Sequence, residues 1–241
     1  MRVGKLVWYG LYAMQKIDYF LGIGQGKWAK KWLTKRVGHV SFHPAPNYMK
    51  YATVEDFEMC GLDWVKHSIG SGAASVIIAE SQAAPAVVKA IRTNQITIPK
   101  QLILLQPLGL NASSLGSNDT QRLASLLKRS WGFWLQKRQS LLIYGNIRTL
   151  VTICLSAIRH PTHAKLAFQF GANQNCIADL EWIATRTKVV VCAAEEDGLF
   201  PYREIEAVPN KHVILRQTNS GHVNRATPQG IKELQAILGG L

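Results

Sequence analysis

Acidic side chains are scarce in this chain. Fifteen Asp and Glu stand against 28 Lys and Arg over 241 residues, a formal net charge of +13. Long apolar runs are missing as well. Stretches such as Leu141 to Tyr144 or Val189 to Ala194 fall far short of the roughly 18 residues that a membrane-spanning helix needs. Cysteine is sparse: Cys60, Cys154, Cys176 and Cys192 are widely spaced and form no CxxC pair. That spacing speaks against a zinc site or a disulfide framework and fits free, mostly buried thiols in a reducing compartment, so a cytoplasmic protein is expected. The start, Met1 to Lys5 followed by the apolar Leu6 to Met14, imitates a secretory signal, but Gln15-Lys16-Ile17-Asp18 offers no small-residue cleavage site. No internal repeat and no low-complexity linker is present. With 47% hydrophobic residues and a mean hydropathy of zero, the chain can fill a core, and its length suits one large α/β domain or two small ones.

The positive charge is concentrated. Residues 1–50 hold nine basic residues and one acidic, and residues 111–180 hold eight basic and two acidic, which together exceed the net charge of the whole. In the first region Lys27, Lys30 and Lys31 share a helical face beside Trp28 and Trp32, with Lys35 and Arg36 following. Such a face is either solvated or a patch for a nucleic acid or an acidic membrane surface, since Lys and Arg make sequence-independent phosphate contacts. No RNP-like pattern, zinc finger or GXXG loop in a suitable context adds to the nucleic-acid reading.

Along the chain, short β-prone runs alternate with helical patterns. Leu6 to Tyr9, Val37 to Phe42, Ser75 to Ala79, Gln101 to Leu105, Lys188 to Ala193 and His212 to Arg216 read as strands. Helices are expected at Lys27 to Leu33, from Thr53 to just before Ser68, at Ala83 to Ile91, near Arg203 to Ala207 and at Pro228 to Leu238. Strands alternating with helices predict a βαβ arrangement: an α/β fold with a mostly parallel sheet of about six strands between two helical layers. From Asn111 to about Thr185 the rhythm changes to helices alone, at Asn118 to Arg129, Trp131 to Leu135, Leu141 to Ile158 and Asn175 to Thr185. This stretch reads as a helical cap, dividing the chain into a core of residues 1–110 and 186–241 and an insertion of residues 111–185.

The chemistry concentrates where strands end. Ser81 lies between the apolar Ser75 to Ala79 run and the helix beginning at Ala83. A sharp strand-to-helix turn exposes a serine hydroxyl and leaves helix N-terminal amides to receive negative charge. The small Ala79 and Ala83 permit the close turn. Asp197 follows the Val189 to Ala193 strand, and His222 follows His212 to Arg216. The separations are 116 and 25 residues, in the order serine, acid, histidine. Glu195 and Glu196 stay open as alternative orienting carboxylates. Ser81 could otherwise be a plain helix cap, Asp197 a turn former and His222 a loop histidine. His39, His43, His67, His160, His163 and His212 have no acidic neighbours in the sequence suited to a metal, so no metal site is expected. Gly22-Ile23-Gly24-Gln25-Gly26 is not followed by the Lys and Ser/Thr of a phosphate loop and reads as a turn beneath or beside the site.

In this order and context the chain resembles the α/β-hydrolase superfamily over nearly its whole length. Ala79-Glu80-Ser81-Gln82-Ala83 looks like the nucleophile elbow with both glycines replaced by alanine, Asp197 to Pro201 like the acid loop, and Gly221-His222 like the histidine loop. Leu6 to Gly10 looks like the strand and loop of the His-Gly oxyanion motif, here Tyr9-Gly10, so that the chain would begin at the family's third strand. The resemblance implies a Ser81, His222 and Asp197 triad, an oxyanion hole from the amides of Leu11 and Gln82, and no cofactor. It also implies a small acyl substrate, anionic if the basic cap steers it; Tyr9, Trp131, Phe133, Trp134, Phe168 and Phe170 are candidates to line its pocket, with core packing the alternative for any of the cap aromatics. The rival expectations are an inactive member of the same fold that binds a ligand or protein, and a binder of nucleic acid or acidic membrane on the same scaffold.

Overall fold

The computed structural model describes residues 16–21, 27–37, 39–46, 53–69, 74–136, 154–155, 157–195, 197–206, 212–219 and 228–239. Six strands make one sheet: β1 (Ile17–Phe20), β2 (Val40–His43), β3 (Val76–Glu80), β4 (Gln101–Leu105), β5 (Lys188–Ala194) and β6 (Val213–Thr218). Their spatial order is β2-β1-β3-β4-β5-β6, and every neighbouring pair is parallel. Each parallel neighbour therefore needs a crossover, and helices supply most of that length. In chain order the described helices are α1 (Lys27–Thr34), α2 (Val54–Ile69), α3 (Ala83–Arg92), α4 (Ala112–Leu115), α5 (Asp119–Gln136), α6 (Pro161–Asn173), α7 (Ile177–Ala184), α8 (Tyr202–Glu206) and α9 (Pro228–Gly239).

The central strands β3 and β4 are buried along their full length, which is why their sequences are near-continuous apolar runs rather than alternating ones. One face of the sheet joins Phe20, Ile77, Ala79, Leu102 and Leu104 to α2, α3, α7 and α8. The other joins Tyr19, Ile78, Ile103, Leu105 and Cys192 to α1 and α9. The result is the expected three-layer α/β/α sandwich.

Where the sequence and the structure part, the reasons are physical. The strand beside β3 is Ile17–Phe20, a segment that the sequence reading passes over, whereas Leu6 to Tyr9 lies outside the described residues. A buried Asp18 interrupts its apolar pattern. The carboxylate is accommodated because His43 Nε2 lies 2.8 Å from Asp18 Oδ1 and Lys16 Nζ lies 3.7 Å from Oδ2. His43 thus pairs with an acid on the adjacent strand, a structural role. Helix α2 starts as expected, with the Asp56 amide donating to Thr53 Oγ1 at 3.1 Å, but it runs on through Ser68 to Ile69. Asp119–Gln136 is one continuous helix, capped where the Gln121 amide meets Asn118 Oδ1 at 3.0 Å, and not two. Helix α6 has no counterpart in the sequence reading. Of the Leu141 to Ile158 helix, residues 141–153 and 156 lie outside the described residues.

The helices between β4 and β5 have two roles. Helix α7 packs on α3 and buries Leu180 and Ile183 in the main core, so it belongs to the sheet's own helical layer. Helices α5 and α6 pack on each other, and α6 leans on α2 where Phe170 stacks on Phe57 at 5.5 Å. The two ends of this upper unit meet at one point: the Cys176 amide donates to the Gly109 carbonyl at 3.0 Å, and Cys176 Sγ lies 3.6 Å from the same oxygen. Gly109 holds φ +90°, and a Cβ there would stand 3.1 Å from Cys176 Sγ and 3.3 Å from Gln174 Cβ.

Gly109→Ala is expected to destabilise the fold by roughly 1–3 kcal/mol, from left-handed strain plus the crowded thiol. Urea unfolding should show a lower midpoint at unchanged m-value, and an unaltered midpoint would remove the stem from this account. The Cys176 thiol is pushed up to about 12, first by burial and then by the charge of Asp179. A thiol reagent at about pH 8 should modify the exposed Cys154 in the native protein and leave Cys176 untouched until the chain unfolds. Rapid native labelling of Cys176 would contradict this.

Candidate active site

Ser81 follows directly on β3 and adopts φ +53°, a left-handed backbone rare for a residue with a side chain. Three hydrogen bonds hold it there. Its amide donates to Leu105 O at 2.9 Å, and its carbonyl accepts from Leu108 N at 3.2 Å and Ala84 N at 3.1 Å. The turn is therefore stitched to the end of β4 on one side and to the first turn of α3 on the other. Ala79 and Ala83, at 0% and 2% exposure, leave no room for larger neighbours. Gln82 immediately precedes α3, and its side-chain Nε2 is buried without a hydrogen-bond partner.

Beneath this turn lies a buried polar layer that the sequence reading did not single out. Glu80 is fully buried, and Tyr19 on the neighbouring β1 donates its hydroxyl to Glu80 Oε2 at 2.6 Å. Gln106, just past β4, has φ +41°, gives its amide to Cys192 O at 2.7 Å and directs Nε2 to Thr218 Oγ1 of β6 at 3.5 Å. Each pairing crosses between strands far apart in sequence, so no local pattern announces it.

Asp197 lies three positions beyond β5 and is 2% exposed. Its Oδ1 accepts from the amides of Leu199 at 2.9 Å and Phe200 at 3.1 Å, and its own amide donates to Ala194 O at 3.2 Å. Of its two neighbours, Glu195 is exposed and paired with Arg203 at 2.9 Å, and Glu196 lies outside the described residues. Ser81 and Asp197 thus occupy the same C-terminal edge of the sheet, beyond strands separated by β4 alone. His222 lies outside the described residues, as do Tyr9 and Leu11.

The proposed pocket aromatics divide. Phe168 packs partly buried against the main core and Phe170 stacks on Phe57. Trp131, Phe133 and Trp134 fall on α5, and their side chains are outside the description. A cavity of about 20 Å³ between α2, α3 and α6 is lined by Phe57, Gly61, Gln82, Pro85, Phe170 and Gln174 among others. Among the described residues, no group of three or more His, Cys, Asp or Glu could hold a metal ion. None of the described helices is long and apolar enough to cross a membrane. Lys30, Lys31, Lys35 and Arg36 are exposed at the basic end of α1. In the cap, Arg122 and Arg129 are turned inward, Arg122 Nε to Gly116 O at 2.9 Å.

Arg129 sits in a polar cluster beside the loop that carries Asp197. Its Nη1 donates to Glu204 Oε2 at 2.8 Å and to Leu199 O at 3.2 Å, while Ser114 Oγ at 2.6 Å and Asn111 Nδ2 at 3.3 Å reach the same glutamate oxygen.

The fold has counterparts among solved structures. The chain is similar to an α/β-hydrolase enzyme from a Medee basin deep-sea metagenome library, with a TM-score of 0.61 at 12% identity, covering 95% of this chain and 90% of that one. It is likewise similar to a bromoperoxidase from Bacillus anthracis, with a TM-score of 0.62 at 11% identity over 93% and 91% of the two chains. An esterase from Exiguobacterium antarcticum gives 0.59 at 12% identity over 93% and 91%. The chain has the α/β-hydrolase fold. No protein-family model and no curated protein matches it. In this α/β-hydrolase fold, Ser81 stands on the strand-to-helix turn beyond β3, with the helical cap inserted between β4 and β5.

The Glu204 carboxyl is subject to opposing influences. Burial alone would raise its pKa, but the hydrogen bonds from Arg129 and Ser114, the Arg129 charge and the Asn111 amide together hold it below its ordinary 4.5. A carboxyl with a lower pKa in the folded state stabilises the fold above its unfolded value, and that contribution disappears as pH falls through the folded value. The melting temperature of the wild type should therefore drop more steeply than that of Glu204→Gln between about pH 5 and about pH 3. Parallel acid limbs for the two proteins would show that the cluster does not hold Glu204 ionised.

Proposed function

We propose that the protein is a serine hydrolase of esters, thioesters or similar small acyl compounds, and the observation that carries this reading is the left-handed Ser81 at the strand-to-helix turn. A strained non-glycine residue costs about 1–3 kcal/mol and persists where the surroundings over-determine it, most often at a functional site. Ser81 Oγ attacks the acyl carbonyl as His222 takes its proton, and the C–O or C–S bond to the leaving group then breaks while His222 returns that proton to the departing alcohol or thiol; Asp197 fixes the imidazole tautomer throughout. Water then releases the acyl group with His222 as base. The burial of Asp197 and the surface ion pair of Glu195 favour Asp197 as the orienting acid.

The Gln82 amide at the start of α3 supplies one oxyanion donor. For the second, the expectation of Leu11 has a competitor: β1 is the neighbour of β3, and the chain leaving it after Leu21 reads Gly22-Ile23-Gly24. We keep the Leu11 amide as the proposed second donor, with that glycine-rich run as the alternative. The cap is proposed to extend from the Gly109 and Cys176 stem, with α7 assigned to the core. The relatives of similar fold include proteins described as esterases and one thioesterase, which agrees with acyl chemistry.

A fluorophosphonate should label the protein on Ser81, as located by peptide mapping, and Ser81→Ala should abolish the adduct. Labelling at another serine would move the nucleophile away from Ser81, and none on folded protein would favour the rival of an inactive binding protein. On a p-nitrophenyl ester, Asp197→Asn should lower kcat by roughly 10^3 to 10^4 while KM stays close to wild type. Glu195→Gln should cost less than about tenfold, because its carboxylate stands outside the proton-transfer chain. A larger loss from Glu195→Gln than from Asp197→Asn would reassign the acid.

A further inference from the structure

One peptide group links the cap to the proposed triad. The Leu199 carbonyl accepts from Arg129 Nη1 at 3.2 Å, and the Phe200 N–H donates to Asp197 Oδ1 at 3.1 Å. Carbonyl and N–H belong to the same planar unit, so displacing one end displaces the other. A cation at the oxygen and a carboxylate at the hydrogen also polarise that unit in the same sense, which strengthens both bonds.

We propose that Arg129 is a positioning residue that holds Asp197 through the Leu199–Phe200 peptide, so that the orienting acid is aligned only when α5 of the cap is seated on the acid loop. This rests on the triad reading above. The guanidinium itself is fixed by two further contacts, Glu204 at 2.8 Å and the Ser114 carbonyl, 3.4 Å from Nη2. Glu204 belongs to α8, the helix that follows the acid loop, and Ser114 to α4 of the insertion. Arg129 therefore joins three segments to one carbonyl: α5, which carries it, the insertion's first helix and the helix after the acid. Lysine could not reproduce this, since the Glu204 and Leu199 bonds together with the Ser114 bond need the spread donors of a guanidinium.

The experiment compares wild type, Arg129→Met and Arg129→Lys in four measurements: fluorophosphonate labelling, steady-state kinetics on one neutral ester, melting temperature, and amide hydrogen exchange of the peptide spanning residues 197–206. For Arg129→Met we expect faster exchange at the Phe200 amide. We also expect kcat reduced by about 10- to 100-fold with KM changed less than about twofold, the loss that about 1 Å of misplacement brings. The acid limb of its kcat/KM profile should shift to lower pH, because a poorly held Asp197 supports the imidazolium less. Arg129→Lys should regain much of the melting temperature through its remaining charge on Glu204, yet keep the low kcat. If Arg129→Met does not fold, this dissociation of stability from kcat in Arg129→Lys decides the matter.

Unchanged exchange at Phe200, or faster exchange with normal kcat in a protein that labels on Ser81, overturns the positioning role and leaves the triad reading intact. Loss of kcat in simple proportion to loss of stability across both variants also overturns it, because a purely structural contact behaves that way. Absence of fluorophosphonate labelling in the wild type removes the triad reading, and the positioning role with it.

Discussion

The hydrogen bond from the Ser81 amide to Leu105 O anchors the upper edge of the sheet. It closes the end of β3 onto β4, and the Gln106 amide repeats the closure from β4 onto Cys192 of β5. Both donors sit on left-handed residues that are not glycine, at φ +53° and +41°. Strain at two neighbouring strand ends is tolerable because the strands beneath are buried on both faces and cannot shift to relieve it. The same buried strands place Glu80 directly before the serine, and the Tyr19 hydroxyl satisfies that carboxyl instead of water. Local backbone tension and a satisfied polar layer below it are two aspects of one construction.

Much of this was legible in the residues. Gln101 to Leu105 was read with its observed bounds, and β3 and β5 were read to within a residue, because buried parallel strands are short β-rich apolar runs. The turn at Ser81 could be recognised because its cause is local: a strand, two alanines and a helix start in nine residues. Strand β1 was not legible, since Asp18 breaks its apolar pattern and its partner His43 stands 25 positions away. The Leu6 to Gly10 run, expected to carry the oxyanion motif, lies outside the described residues.

Helix α6 escaped for a different reason. The residues it buries are Ala164, Ala167, Gly171 and Ala172, and small side chains mark a helical face only faintly in a hydrophobicity pattern. The Arg129 cluster could not have been found from sequence, because Arg129 and Glu204 are 75 positions apart and neither is set in a motif. Exposed, an arginine and a glutamate look alike whether they are paired or solvated. Only the fold tells which of the many charges are structural.

Gly109 and Cys176 stand 67 positions apart and touch. The described chain leaves the sheet and returns to it at this contact, and the described strands pair with one another. Such a junction makes the upper unit replaceable. A helical segment of another length, or a short turn, could be spliced between these two residues with the sheet's registers unchanged, and over evolutionary time the same platform could be fitted with different roofs. The contact that restrains such exchange is the one at Leu199: a new roof that lacked a cation over that carbonyl would have to hold the loop after β5 by some other means.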